Sequence, residues 1–375
     1  MEPQLEKQLK VISSSLYHLL KWILKKQRHL NPIWHFLIKI TNLYLTKNTK
    51  TAINTLVFLS LGGVLFYWAI KNQDLNELWN QIKQVNLFWV GLSMVCGIIS
   101  HLLRALRWNL LLEPMNYKAS TANTFHAVIL GYLVNMALPR VGEITRPAIL
   151  GKLEKIPFNK LVGTVLIERV VDLFITLFLA LLIFIIQFQL ITDFIQDLFV
   201  EINSSSIGLL LGTAILSIIT LYFAYIKRKW FYKLPIIQKF KSFIEGIIDG
   251  IKAIFSLRQK GLFIAYSLLI WAMYFLMPFL IFYAFDDTTH LGISAGFTVL
   301  LFGTIAMIIP IPGGIGTFEV LVPKALDIYG VGSSIASSYT LMTHAIQFLV
   351  IAGVGIFSIV YVIFKLKKTS NHEME

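Results

Sequence analysis

Three charged residues lie inside an apolar run that is long enough to cross a bilayer. The run extends from Leu161 to Ile186 and contains Glu168, Arg169 and Asp172. A charge at bilayer depth costs roughly 2.5–3.5 kcal/mol on insertion scales, so such residues face a protein interior or a hydrated cavity and indicate a functional site. Glu168 and Asp172 share a helix face, and Arg169 can pair with Asp172. The alternative is a self-neutralised cluster that only holds helices together.

Two arginines also occur at the end of an earlier apolar run. Arg104 and Arg107 lie in the sequence HLLRALRW. Arginines near the end of a span can extend to the headgroups while their stems stay in the apolar layer, and for Arg107 this explanation and a buried role are equally favoured. Arg104 lies one turn after His101 and deeper in the run, which favours a buried role.

Proline and glycine interrupt two other apolar runs, Thr121–Leu138 and Ile293–Ile309. Backbone groups left unpaired at bilayer depth are tolerated only where they are buried in protein or line a wet cavity. The N–H groups that begin a half-helix attract anions, and arginine presents a planar fork that suits phosphate oxygens. We call residues 138–143 the first tip and residues 309–319 the second tip. The candidates at or beside them are Pro139, Arg140, Gly142, Glu143 and Arg146 for the first tip, and Pro312, Gly313, Gly314, Gly316 and Glu319 for the second.

The glycines of the second tip do not form a nucleotide-binding loop. Neither a Lys-Ser or Lys-Thr pair nor a flanking strand accompanies them, so a flexible re-entrant turn is the better interpretation. Further along, a polar face in the last apolar run predicts a hydrogen-bonding seam between helices, and we expect His344 to be structural rather than a proton carrier. The residues of that face are Ser333, Ser337, Thr340, His344 and Gln347.

Composition indicates a membrane protein. Of the 375 residues, 56% are hydrophobic and 14% are charged, whereas a soluble domain carries about 25% charged residues. The net charge of +13 lies between the apolar runs, which suits an anionic membrane surface better than nucleic acid, because no basic nucleic-acid-binding module accompanies it. The one cysteine, Cys96, cannot form an internal disulfide, and no spacing of metal ligands or cofactor motif occurs. We predict neither a metal nor a cofactor.

Six runs reach the length of about 20 residues that a spanning helix needs. They are Ala52–Ile70, Leu87–Leu103, Leu161–Gln187, Ile207–Ile226, Leu262–Phe285 and Ile335–Phe364. Lysine and arginine accumulate in residues 1–51, in the loop 227–260 and in the tail, whereas the loop 188–206 has only acidic charges. The positive-inside rule therefore places the N- and C-termini in the cytoplasm.

These loop charges agree with one another only if the two interrupted segments enter and leave on the same side. The predicted fold is thus an all-α polytopic integral membrane protein with six full transmembrane helices and two re-entrant helical hairpins in inverted repeats. Each half has the form span, re-entrant loop, span, and paired interruptions of this kind indicate a transporter's substrate site. We expect charged side chains from both halves to meet in one hydrated chamber.

The chain divides by composition into three regions. Residues 1–51 form a cytoplasmic amphipathic region, residues 52–365 form the transmembrane domain with an amphipathic cytoplasmic loop at 227–260, and residues 366–375 form a cytoplasmic tail. Both amphipathic stretches suit helices that lie in the inner interface, and packing against another part of the protein is an equal alternative.

Several motifs together resemble one membrane-protein family. RALRW begins at Arg104, an Asn-Pro-Gly-Glu pattern includes Asn135 and Pro139, ERxxD begins at Glu168, and PGGIGTFE ends at Glu319. In this order they resemble the lysylphosphatidylglycerol synthase transmembrane family, also called the flippase-like domain family, over roughly residues 50–365.

The resemblance implies lipid transport: a membrane domain that moves a charged-headgroup phospholipid or a polyprenyl-linked lipid between leaflets of the bacterial inner membrane. Bifunctional members add a soluble aminoacyl-transferase domain, which this sequence lacks, so we predict no enzymatic activity. The expected headgroup-binding residues are Arg104, Arg107, Arg140, Glu143, Arg146, Glu168, Arg169, Asp172 and Glu319. The arginines would hold phosphate, and the acids would balance them or bind a cationic headgroup.

Two alternatives remain open at this point. The first is a membrane enzyme, or an enzyme subunit, that transfers aminoacyl or glycosyl groups to lipids. The second is a non-transporting scaffold for an envelope enzyme partner, in which the buried charges only stabilise the helix bundle.

Overall fold

The computed structural model describes residues 49–186 and 257–372. The predicted span Ile207–Ile226, the amphipathic N-terminal region and nearly all of the loop 227–260 lie outside them. Every regular element in the described ranges is helical. The α-helices are α1 (Thr49–Ile70), α2 (Leu75–Lys83), α3 (Leu87–Leu112), α4 (Thr121–Ala137), α5 (Gly142–Glu154), α6 (Phe158–Ile186), α7 (Lys260–Ile281), α8 (Ile293–Ile308), α9 (Thr317–Asp327) and α10 (Ser333–His372).

Four of the described helical segments are long and apolar enough to cross a membrane. They are Leu87–Met115, Phe158–Ile186, Lys260–Ala284 and Ser333–Lys367, and they coincide with four of the predicted spans. Helix α1 coincides with the predicted span Ala52–Ile70, and its described apolar part is Ser60–Ile70. The described ranges are therefore all-helical, and the chain is a multi-pass membrane protein.

Each interrupted segment forms a pair of short helices joined at a tip. Helices α4 and α5 pack against each other around the first tip, and α8 and α9 do so around the second. Gly131 and Gly142 explain the close approach in the first pair, because a Cβ built on Gly142 would overlap the carbonyl oxygen of Gly131. In the second pair, the ring of Phe318 lies against Gly303.

The element order repeats. Long helix α3, the pair α4–α5 and long helix α6 are followed later in the chain by long helix α7, the pair α8–α9 and long helix α10. The first long helices of the two halves, α3 and α7, are extensively packed together. This repeated order agrees with the two predicted halves.

Two differences from the sequence prediction have simple physical reasons. Helix α3 continues nine residues past the predicted end at Leu103, because Arg104 and Arg107 are buried in the bundle and do not mark its boundary. Helix α2 was not predicted, since its nine residues are too few for a span. Its Asp74 cap accepts backbone N–H bonds from Asn76 and Glu77, and this short amphipathic helix packs against α10.

Candidate functional site

Five charged side chains form a buried cluster, which we call the arginine cluster: Arg104 and Arg107 of α3, Arg146 of α5, and Glu168 and Asp172 of α6. Asp172 accepts from Arg104 at 3.1 Å and from Arg107 at 2.8 Å. Glu168 pairs with Arg146 and lies 3.6 Å from Arg107. Three helices thus bring their charges to one place.

Aromatic and hydroxyl groups complete the surroundings of the arginines. Arg104 lies between the rings of Tyr132 and Tyr274, at 5.8 and 5.9 Å from their centroids. It also donates to the hydroxyl of Tyr274 at 2.8 Å. Arg146 lies over the ring of Trp108 at 4.6 Å. Cation–π contacts of this kind gain strength when they are desolvated, so these rings stabilise guanidinium groups that water does not reach.

The charges of the arginine cluster do not cancel. Among the described residues, three arginines face two carboxylates, so the formal sum is 3 − 2 = +1. Several of the buried N–H donors also lack hydrogen-bond partners among the described residues, namely the Nε atoms of all three arginines. An unpaired buried donor or acceptor costs about 1–3 kcal/mol, and more when it is charged. The cluster therefore has both the charge and the donors to attract an anion.

A narrow cleft, open to solvent, adjoins the arginine cluster on the side of the first tip. Arg146 lines it together with Arg169 and Glu143, which form an ion pair at 3.0 Å and are about two-fifths exposed. Its other lining residues are Val128, Gly131, Tyr132, Asn135 and Gly142. Arg169 thus pairs with Glu143 of α5. The pair between Arg169 and Asp172 that helical spacing predicted is not formed, because Asp172 contacts the arginines of α3.

Asn135 fixes the backbone of the first tip. Its side-chain oxygen accepts from the amide of Gly142 at 2.6 Å. Arg140 has a left-handed φ of 64° and an exposed side chain that donates to the carbonyl of Ile308 at 3.3 Å. The first tip therefore contacts Ile308, the residue before the second tip, and Arg140 makes this hydrogen bond outside the arginine cluster. Pro139 provides the break between α4 and α5.

Glu319 belongs to a different polar site. Its carboxylate accepts from the amide of Gly316 at 2.6 Å and contacts Nδ1 of His344 at 2.5 Å. Pro312, Gly313 and Gly314 form the turn before it, and Gly313, Gly314 and Gly316 all have positive φ. We call Glu319 and His344 the glutamate–histidine pair.

In the described residues, no hydrogen bond or ion pair joins Glu319 to the arginine cluster, and the single hydrated chamber expected from the sequence stays a prediction. The acids and bases of the arginine cluster come from the first half, and the second half contributes only Tyr274 and Ser267 to its hydrogen bonds. Glu319 makes its recorded polar contacts with Gly316 and His344. The alternative in which Arg107 extends out of the bundle to the membrane headgroups is wrong, because its side chain is fully buried.

Sequence reasoning missed several contributors to these sites. Tyr274, Trp108 and Tyr132 surround the arginines, and an aromatic residue in an apolar run carries no spacing signal that would reveal this role. The polar face around His344 was detected. Ser337, Thr340 and His344 are buried as predicted, whereas Ser333 is exposed.

Comparison with known proteins finds relatives among archaeal membrane proteins. A UPF0104 membrane protein of Pyrococcus horikoshii (PH1989) is 26% identical over 318 residues, which cover 78% of this chain and 91% of that protein. One from Methanothermobacter thermautotrophicus is 23% identical over 310 residues, covering 76% and 88%. The UPF0104 membrane protein MJ1595 of Methanocaldococcus jannaschii is 30% identical over 152 residues. That match covers 40% of this chain and less than half, 43%, of the relative.

No solved structure matches the chain significantly. The family model described as the lysylphosphatidylglycerol synthase TM region matches residues 53–355. This range includes the whole arginine cluster, both tips and the glutamate–histidine pair. With its repeated helical order and its buried charges, the chain belongs to the family of the lysylphosphatidylglycerol synthase transmembrane region.

Proposed function

We propose that this protein binds the charged headgroup of a phospholipid or lipid-linked precursor and moves it between the leaflets of the membrane. The observation that carries the proposal is the formal charge of +1 in the arginine cluster, next to a cleft. An excess buried cation is costly unless something pairs with it. A phosphate brought into the cleft would supply the missing negative charge and accept from guanidinium N–H groups.

The lining of the cleft suits a phosphate with a cationic or neutral substituent. Arg146 and Arg169 present donors, while Glu143 presents a carboxylate on the same wall. In the proposed mechanism the headgroup alone enters this space, and the acyl or isoprenoid chains stay in the bilayer.

The lengths of the paired helices support a re-entrant topology as part of this proposal. Helix α4 has 17 residues, α5 has 13, α8 has 16 and α9 has 11. At 1.5 Å per residue they extend about 16 to 26 Å, less than the ~30 Å of the hydrocarbon core. We propose that each pair enters and leaves on one side, with six full spans, cytoplasmic termini and a location in the inner membrane.

Lipid movement in proteoliposomes tests the function. Vesicles would contain lipids with a fluorescent NBD group on the acyl chain and phosphatidylglycerol, phosphatidylethanolamine or phosphatidylcholine headgroups. An impermeant reductant, dithionite, bleaches only the outer leaflet, so bleaching of the inner pool reports movement. The protein should move at least one of these lipids, and protein-free vesicles should not.

The matched variants are Arg169→Gln in the cleft and Arg258→Gln, which removes an exposed arginine. We expect Arg169→Gln to slow movement about tenfold or more, the factor for one charge-assisted hydrogen bond, and Arg258→Gln to behave as the parent. If no lipid crosses with the unmodified protein, the transport proposal is wrong. Group transfer from an added aminoacyl or glycosyl donor would then favour the enzyme, and its absence would favour the scaffold.

A further inference from the structure

The glutamate–histidine pair joins three elements in the second half. His344 of α10 contacts Glu319 of α9 through Nδ1 at 2.5 Å and the carbonyl oxygen of Gly313 in the second tip through Nε2 at 2.9 Å. Both Glu319 and His344 are buried. Phe318 stacks on the imidazole at 4.5 Å between ring centroids, and Phe348 meets it edge-on at 4.9 Å.

Hydrogen-bond accounting fixes the number of protons that this arrangement contains. A carbonyl oxygen can only accept, so Nε2 must carry a hydrogen toward Gly313. A hydrogen must also lie between Nδ1 and the carboxylate, because two lone pairs cannot face each other at 2.5 Å. The second carboxylate oxygen already accepts from the amide of Gly316. The pair therefore holds one proton more than a neutral histidine beside an ionised glutamate.

We propose that Glu319 and His344 form a proton-binding site, and that the bound proton fastens the second tip to α10. Without the bound proton, the imidazole of His344 has a single N–H group for two acceptors. Donation to Glu319 releases the carbonyl of Gly313, and donation to Gly313 leaves a buried carboxylate facing a lone pair. Either outcome removes one of the contacts that anchor the tip.

Seven other titratable side chains on the elements packed around this site make their contacts elsewhere or lie exposed. In the described residues, no hydrogen bond or ion pair joins any of them to Glu319 or His344. They are Arg140 at the carbonyl of Ile308, His101 against Tyr132, His126 with Ser358, Tyr339 with the carbonyl of Pro278, Glu77 with Ser334, and the exposed Lys324 and Asp327. Movement of the tip with pH is thus assigned to this pair.

The consequence for transport rests on the proposed function. Arg140 of the first tip donates to Ile308 beside the second tip, so release of the second tip also changes this contact. A lipid transporter with this device would respond to a transmembrane proton gradient. The proton site itself does not depend on lipid movement and can be tested separately.

The test measures access to the second tip as a function of pH. Ile315→Cys places a thiol in the tip, and Thr289→Cys places one at an exposed position. Both are made in a Cys96→Ala background, which removes the native buried thiol. Maleimide reacts with the thiolate, so its rate rises with pH at both positions. The informative quantity is therefore the maleimide reaction rate of the Ile315→Cys variant divided by that of the Thr289→Cys variant, measured between pH 5 and 9.

We expect this ratio to rise about tenfold with pH, the factor for loss of one hydrogen bond involving a charged group. Glu319→Gln should hold the ratio low at every pH, because the amide can donate to Nδ1 without an added proton. His344→Ala should hold it high, since the anchor to Gly313 is gone. The control His290→Gln removes an exposed histidine and should retain the parent's dependence.

Three outcomes decide between the proposals. A ratio that is flat with pH in the parent, or unchanged by Glu319→Gln, overturns the proton site. Lipid movement together with a flat ratio leaves the proposed function standing and rejects the proton site. If the ratio changes with pH as expected but the protein moves none of the tested lipids, the proton site stands and the proposed function is rejected.

Discussion

Removing Glu168 from the arginine cluster should destabilise the protein more than removing its partner Arg146. Glu168→Gln leaves three buried arginines with one carboxylate and raises the formal charge from +1 to +2. Arg146→Met leaves two arginines with two carboxylates, so the formal charge becomes zero, and methionine keeps much of the volume over the ring of Trp108. Both changes break the Arg146–Glu168 pair, but only the first increases the unpaired charge.

The magnitude follows from burial. Glu168 has no exposed side-chain surface and Arg146 is 5% exposed, and breaking a buried pair by removing one partner costs about 3–5 kcal/mol. We expect the loss in free energy of unfolding to fall within or above that range for Glu168→Gln and clearly below it for Arg146→Met. The double variant should cost less than the sum of the single variants, because residues in one ion-pair network couple by about 0.5–3 kcal/mol.

The assay is equilibrium unfolding in mixed micelles by increasing SDS, followed by helical circular dichroism. The Arg169–Glu143 pair is a matched comparison with a similar contact, 3.0 Å, but with 40% and 38% of its side chains exposed. Its double-mutant cycle should give about 0–1 kcal/mol. Additive single effects in the buried pair, or an Arg146→Met variant less stable than Glu168→Gln, would refute the reasoning.

Three further predictions concern individual contacts, and each is measured by the same unfolding assay. Gly142→Ala should cost about 1–3 kcal/mol, because its Cβ would overlap the carbonyl oxygen of Gly131, as in an overpacked core. Gly163→Ala, with no atom within 4 Å of its Cβ, should cost nothing, and equal effects would show that the tight packing of α4 on α5 is unimportant. Tyr274→Phe should lower the free energy of unfolding by about 1.5–3 kcal/mol through the lost hydrogen bond to Arg104, and no loss would mean that the phenol is dispensable. Trp108→Phe should lower the free energy of unfolding by about 0.5–1.5 kcal/mol, because the indole N–H donates to Thr164 at 2.7 Å, and adding Thr164→Val to this variant should then change the stability little.

The order of helices could be predicted from the sequence because hydropathy and helix breakers are local signals. The interrupted run predicted as Thr121–Leu138 is α4, Thr121–Ala137, and the run Ile293–Ile309 is α8, Ile293–Ile308. Proline and glycine end these helices through their own backbone chemistry, and no tertiary contact is needed to recognise them.

The partners of the charged residues could not be predicted in the same way. Spacing along α6 indicated a pair between Arg169 and Asp172, but arginines from α3 reach Asp172 from a neighbouring helix. Likewise, Glu319 and His344 are on separate helices, and no spacing relates them. Tertiary packing decides which of several possible partners a buried charge meets, so sequence reasoning found the charged residues and missed their pairing.

Helix α1 contacts the second tip although it contributes no member of either polar site. A Cβ on Gly316 would lie 2.8 Å from Cβ of Leu65, and a Cβ on Gly62 would lie 2.7 Å from a methyl group of Ile311. The second tip cannot move toward α1 unless α1 is displaced first. The rate of any such motion therefore depends on how tightly α1 packs against the tip. Substitutions in this apolar contact would change that rate while the ionisable groups stay the same.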